Sequence, residues 1–295
     1  MRSHGWYDLP PFSYDEEART LSTRLPSGAV TFRERDGALE ATASGRGVPR
    51  AELLRAARRV FSLDLDLAAC SGIFAGEPAL ARGLARGGGR MLRAPGLFED
   101  AVKMLFTTNC SWAATRGMVV RLIDLAGGES GAFPAPAAIA RIPPARLKSR
   151  VRCGYRAVAL SRFAKRVDSG RLDLSGWERS EASSADVRDA ILAEHGFGPY
   201  AAEGLLRVLG RHDYLALDSW VRKRYRQMYR GPAKSVDRAI ARRYARYGEY
   251  RGLALWLELT QHWHEGGKSR VEGRGSGVLG TILRMSAPRT LDARH

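Results

Sequence analysis

Asp218 opens the run Asp218-Ser219-Trp220-Val221-Arg222-Lys223-Arg224-Tyr225, an acidic side chain at the first position of a basic helical pattern. The ordinary role of Asp there is to cap the helix, its carboxylate accepting N–H groups that the first turn leaves unsatisfied. A carboxylate held in that way is also rigidly aimed. Capping and charge chemistry are therefore compatible roles for Asp218. About twenty residues upstream, Gly196-Phe197-Gly198-Pro199 separates two apolar-periodic segments, and Tyr200 follows. Two glycines permit a tight turn and a close backbone approach. Pro199 suits a first helical position, where its missing N–H costs nothing. The N–H groups of the helix that begins there could face a phosphate; a plain helical hairpin with a glycine-rich turn is the other reading.

Other reactive constellations are missing. No Gly-x-Ser-x-Gly elbow and no His-Glu-x-x-His motif occurs, and the six His are scattered. Cys110 lies near a helical start without a His partner in sequence. Cys70, Cys110 and Cys153 are widely spaced and odd in number, so they form neither a disulfide framework nor a metal or iron–sulfur ligand set. No apolar run reaches the ~18 residues of a membrane span, and the first residues lack the apolar stretch of a secretory signal. The expectation is a reduced, cytoplasmic, monomeric protein with no cofactor, no structural metal and no membrane partner.

The elements that position these residues follow from periodicity and breakers. The 295 residues, 44% hydrophobic and 27% charged, are enough for more than one core. Ala29–Arg35 and Ala38–Ala43 flank Asp36-Gly37, a type I′ hairpin signal. Pro49–Phe61 has helical spacing. Residues 1–90 thus read as an α+β subdomain, a small antiparallel sheet plus helices, with the Gly-rich stretch 83–89 as a junction. Residues 91–265 read as helical, with helices expected over Phe98–Thr108, Ala113–Ala126, Pro136–Arg141, Pro144–Gly154, Ala157–Ser169, Ser184–Glu194, Pro199–Leu209, Ser219–Tyr229, Ser235–Tyr247 and Tyr250–Trp263. Residues 266–295 read as a basic tail, mobile or loosely docked. The fold class is mainly α with that N-terminal α+β subdomain.

The net charge of +17 favours a polyanionic partner, nucleic acid ahead of a membrane surface. Its placement matters more than its size. Residues 141–171 net +9 and residues 218–251 net +8, which together account for all of it. Charge confined to two segments suggests one face that meets a phosphate backbone.

The hairpin and the aspartate after it resemble the helix-hairpin-helix DNA glycosylases, the superfamily of endonuclease III and of the 3-methyladenine and 8-oxoguanine enzymes. The matching residues are Gly196, Gly198, Ala202 and Asp218, with His195 where a Pro is usual. Asn109-Cys110-Ser111-Trp112-Ala113 with Gly117-Met118-Val119, and Gly154-Tyr155-Arg156-Ala157, resemble segments of the 8-oxoguanine branch. Tyr247-Gly248-Glu249-Tyr250-Arg251-Gly252 resembles a late helix start near the base pocket. The resemblance spans roughly residues 95–263.

It implies a helix-hairpin-helix glycosylase architecture acting on double-stranded DNA that contains a damaged base. Asp218 would stabilise the positive charge that develops on deoxyribose as an everted base departs. Gly196, Gly198, Pro199 and Arg222 would meet the DNA backbone; Tyr155 would wedge the duplex, Asn109 would fill the vacated space and Arg156 would contact the orphaned partner base. From their residue types alone, Tyr155 also reads as a half-buried helix-end aromatic and Asn109 as a polar helix-end residue. Relatives that nick the strand carry a Schiff-base Lys where this chain has Tyr200, and no Lys occurs between Lys165 and Lys223. The expectation is a monofunctional enzyme that leaves an abasic site. Tyr200, Trp220, Leu255 and Trp256 are the expected walls of the base pocket, with core packing the alternative for Tyr200 and Trp256. Gly204 stands where the 8-oxoguanine enzymes place a Cys. An apolar, aromatic pocket suits electron-poor bases, which puts alkylated purines ahead of oxidised ones. The rival reading is a non-catalytic hairpin protein that binds damaged or bent DNA, with Asp218 only a cap.

Overall fold

A computed structural model describes residues 3–44, 47–178, 181–229, 235–265 and 282–286. Asp36 and Gly37 both have positive φ, 51° and 72°, as a two-residue type I′ turn demands. That turn joins two members of an antiparallel meander: β1 (Ser13–Asp15), β2 (Thr20–Leu25), β3 (Gly28–Arg35) and β4 (Ala38–Ser44). Val30 and Phe32 alternate with more exposed neighbours and are fully buried. A fifth strand, β5 (Ile282–Ser286), pairs with β4, Ser286 opposite Ala38 and Ile282 opposite Thr42. Part of the expected tail therefore docks as a strand, because main-chain bonding satisfies the open edge of β4. Residues 266–281 and 287–295, the rest of that tail, lie outside the described residues.

The remainder is helical: α1 (Arg50–Val60), α2 (Ala68–Phe74), α3 (Pro78–Ala85), α4 (Leu97–Thr107), α5 (Trp112–Ala126), α6 (Pro136–Ala140), α7 (Pro144–Val151), α8 (Arg156–Asp168), α9 (Ser175–Glu178), α10 (Ser184–Leu192), α11 (Pro199–Val208), α12 (Ser219–Met228), α13 (Val236–Tyr244) and α14 (Arg251–Glu265). Local chemistry explains many of the boundaries. Ser111, Ser183 and Asp218 cap α5, α10 and α12 through the N–H groups of Ala114, Asp186 and Val221. Pro opens α3, α6, α7 and α11. α7 and α13 stop three residues short of their sequence pattern. α7 ends at Val151 because Arg152 and Gly154 turn left-handed, φ 58° and 59°. α13 ends at Tyr244, and a 3-10 stretch over Ala245–Tyr250 redirects the chain through Gly248, φ 54°.

The interior has two parts. The first joins the sheet and α1 to α4–α11, with α4 buried along its length, including the charged Glu99, Asp100 and Lys103. The second joins Leu67, Phe74 and Leu84, from the region of α2 and α3, to Val221, Ile240 and Leu253 in α12–α14. Ala201, Leu205 and Leu206 of α11 belong to the first and Val221 and Tyr225 of α12 to the second. The hairpin and Asp218 therefore meet along the seam between the two cores. Among the described residues no helix is long and apolar enough to cross a membrane, and no group of three His, Cys, Asp or Glu could hold a metal ion. All three cysteines are free, Cys70 and Cys153 buried and Cys110 exposed.

Candidate active site

The turn between α10 and α11 is pinned from inside. Phe197 is buried and packs on Phe163, ring centroids 5.1 Å apart. Its neighbours His195, Gly196, Gly198 and Pro199 are exposed as a result. The two glycines do different work. Gly196 has φ 93°, and a Cβ there would stand 2.4 Å from the Cβ of Ala159 on α8. A Cβ at Gly198 would meet nothing within 4 Å, so the interior of the protein does not require that glycine. No side chain caps α11, and its first N–H groups point where an anion could use them.

Asp218 is half-buried. Its Oδ1 accepts the Val221 N–H at 2.6 Å, and no other hydrogen bond reaches the carboxylate among the described residues. Tyr200 lies within its electrostatic reach. Burial pushes the Tyr200 phenol up, the hydrogen bond with Thr107 works against that, and the Asp218 charge adds to the rise. Tyr200 is therefore protonated at neutral pH. A pocket of about 350 Å³ opens beside them, lined by Pro199, Tyr200, Glu203, Leu215, Leu217 and Arg251 among others. Such a volume lies within the range of small-ligand sites. A larger cleft of about 1020 Å³, lined by Arg55, Arg59, Phe98, Phe133 and Arg211, contains none of the candidate site residues.

Asn109 and Tyr155, 46 positions apart, meet at the surface. The Asn109 Nδ2 donates to the Tyr155 hydroxyl at 3.4 Å, and Thr108 Oγ1 lies at the same distance from that hydroxyl. Asn109 has φ 45°, and Tyr155 is 62% exposed, the most exposed large hydrophobic side chain described. A polar side chain and an exposed aromatic ring thus project together from the turns that precede α5 and α8.

Several site residues sit differently from their sequence-based roles. Arg156 is buried, donating to Thr108 O, to Thr108 Oγ1 at 3.2 Å and to Cys153 O at 3.4 Å. Its guanidinium also lies under the Tyr155 ring, 4.6 Å from the centroid. Arg156 therefore supports the Tyr155 ring from below, and its guanidinium does not reach outward as contact with a base would require. Leu255 is 1% exposed within the second core and lines neither cavity. Trp220 and Trp256, also expected walls, line neither cavity either, so Tyr200 alone of the expected walls faces the pocket. Arg222 lines the pocket, but its guanidinium is held by Asp237 at 2.8 and 3.0 Å. Trp220 and Trp256 do come together, ring centroids 5.9 Å apart. Trp256 also donates to Ser3 O at 3.2 Å, which ties the N-terminal segment to α14.

Sequence reasoning missed Arg207. It is 9% exposed, its Nη2 donates to Leu215 O at 2.5 Å, and its guanidinium covers Trp256 at 4.8 Å. The signal was available: Arg207 interrupts the apolar run Leu205-Leu206-Arg207-Val208 and falls seven residues after Tyr200, on the same helical stripe.

No protein-family model and no curated protein matches the sequence. Solved structures do match. The fold superposes on MBOgg1 in complex with a low-affinity DNA ligand with a TM-score of 0.67 at 19% identity, over 87% of this chain and 89% of that one. The Clostridium acetobutylicum 8-oxoguanine glycosylase/lyase, in complex with dsDNA containing cytosine opposite 8-oxoG, gives 0.65 at 15% identity, over 88% and 93%. The Archaeoglobus fulgidus 3-methyladenine DNA glycosylase gives 0.62 at 18% identity, over 90% and 94%. The structural neighbours are helix-hairpin-helix DNA glycosylases, and the chain has their fold.

Proposed function

We propose that this protein is a monofunctional DNA glycosylase, which everts a damaged purine, alkylated or oxidised, from duplex DNA and hydrolyses its N-glycosidic bond. The observation that carries the reading is Asp218: a half-buried carboxylate with one oxygen tied to the Val221 N–H, beside the pocket wall Leu217 and within the field of Tyr200. A rigid anion so placed can face the positive charge that develops on C1′ as the base departs. The duplex is engaged by the exposed hairpin, with its uncapped α11 N–H groups, and by the exposed cations of α7 and α8. Tyr155 enters the stack and Asn109 takes the vacated space, which offsets an unstacking cost of a few kcal/mol. Tyr200, protonated and without an amine, cannot form a Schiff base with the sugar, so the product is an intact strand with an abasic site.

The test is a panel of duplexes, each with one lesion, scored for abasic sites with and without alkali. Strand breaks are expected only after alkali. Asp218→Asn is expected to lower base release by roughly two to three orders of magnitude while duplex binding persists. The competing reading, a hairpin protein that binds bent or damaged DNA without cutting, draws on the cap bond of Asp218; it is upheld if the unaltered protein binds every duplex and releases no base.

A further inference from the structure

The pocket beside Asp218 is electrostatically unlike an apolar aromatic slot. Tyr200, Glu203 and Arg207 share one stripe of α11, at spacings of three and four. Tyr200 and Glu203 line the pocket, and Arg207 lies one turn below, bonded to the carbonyl of the wall residue Leu215. Two of the neighbouring charges are already spent on partners. The Glu203 carboxylate takes Arg188 at 3.2 Å and the Ala216 N–H at 3.0 Å. Arg222 is paired with Asp237 at 2.8 Å. What remains is Asp218, opposed by Arg207 and by Arg251, another wall residue, whose Nε is bonded to the Asp213 carbonyl and not to a carboxylate. Arg207 beneath the pocket and Arg251 on its wall thus stand beside it with no carboxylate partner among the described residues. The Arg207 Nε is buried and has no hydrogen-bond partner among the described residues.

This balance bears on which base can leave. A purine alkylated on a ring nitrogen carries a full positive charge and departs as a neutral molecule. A neutral base departs with the electron pair of the C1′–N bond and is an anion until it takes a proton. Water completes both reactions by adding its hydroxyl to C1′; its proton ends on the nitrogen of the neutral base's leaving anion, and goes to solvent when the alkylated purine leaves. A buried cation beneath the pocket repels the first kind of substrate and stabilises the leaving group of the second.

Building on the glycosylase reading, we propose that the pocket is made for a neutral base that presents carbonyl oxygens, with Arg207 and Arg251 as its specificity-determining cations, and that it discriminates against positively charged N-alkylated purines. This reverses the preference expected from an aromatic pocket alone.

Single-turnover release from four duplexes of identical sequence, carrying 8-oxoguanine, hypoxanthine, uracil or 7-methylguanine, tests the proposal on the unaltered full chain. At least one neutral base is expected to leave ten or more times faster than 7-methylguanine, after subtraction of its spontaneous loss. Arg207→Met and, separately, Arg251→Met are each expected to shrink that ratio several-fold, the neutral base leaving more slowly and 7-methylguanine faster. Arg251 is only half-buried, so its variant supplies the readout if Arg207→Met does not fold. A ratio unchanged in a folded variant, or 7-methylguanine released as fast as every neutral base by the unaltered chain, overturns the assignment while leaving the glycosylase reading intact. Release of nothing from any duplex overturns both.

Discussion

Asp218 caps α12 and, in the proposed reading, also faces the reacting sugar; substitutions can separate these two roles. Asn caps a helix as well as Asp does, so Asp218→Asn should leave the urea midpoint unchanged while base release falls by roughly two to three orders of magnitude. Asp218→Ala should remove both, lowering unfolding free energy by about 1 kcal/mol. Equal destabilisation by the two variants would show that the charge itself supports the fold. Tyr200 provides an independent check on the product. Without an amine at that position, borohydride should trap no covalent protein–DNA complex, and a trapped complex would require a nucleophile elsewhere in the chain. Arg156 shows how a residue's type underdetermines its role, since the same guanidinium that could read a base here supports the turn under Tyr155.

At the scale of elements, the hairpin rests on two glycines with opposite demands. Gly196→Ala combines a left-handed φ with a 2.4 Å contact to Ala159. It should cost about 1–3 kcal/mol and weaken DNA binding by moving the turn off α8. Gly198→Ala meets nothing inside the protein but changes the N-cap of α11, so its stability should stay within about 1 kcal/mol of the parent. Any loss of duplex affinity in that variant then reports a phosphate backbone lying against the N-terminus of α11. Measuring melting and binding for both variants distinguishes a folding glycine from a contact glycine. If Gly198→Ala binds as well as the parent, the DNA does not approach there.

At the scale of the molecule, buried charge ties the parts together. Asp100, fully buried in α4, accepts Trp6 Nε1 and the Ala94 N–H at 2.8 Å and pairs with Arg59 of α1 at 2.9 Å. Asp100→Ala leaves the Trp6 Nε1–H and the Ala94 N–H without an acceptor and Arg59 with Glu178 alone, at 2.7 Å, and a loss of about 3 kcal/mol is expected in equilibrium unfolding. Acid should act through the buried histidines. Burial, helped by the neighbouring Arg207 charge, pushes the His212 imidazole down to about 3 from 6.5. The unfolded chain then binds the extra proton below 6.5, so stability is full above that pH and falls as pH drops toward 3. By pH 5 the expected loss from His212 is about 2 kcal/mol, and His4 shifts in the same direction for the same reasons. A urea midpoint that does not change between pH 7.5 and 5 would contradict a buried, neutral His212.

Much of this protein was legible in one dimension. The Asp36-Gly37 turn, the Ser and Asp caps, the Pro-initiated helices, the Gly-x-Gly hairpin and the segregation of charge all arise from interactions among residues a few positions apart. Sequence neighbours carry that information in full. Tertiary structure alone decided where side chains on those elements point and what surrounds them. Arg156 turned inward, Leu255 joined a core, β5 closed the edge of β4, and α2 and α3 packed with α12–α14. Arg207 came to lie beneath the pocket. Burial, and with it the strength of every charge, is set by partners far away along the chain, and no local pattern encodes how those partners are arranged.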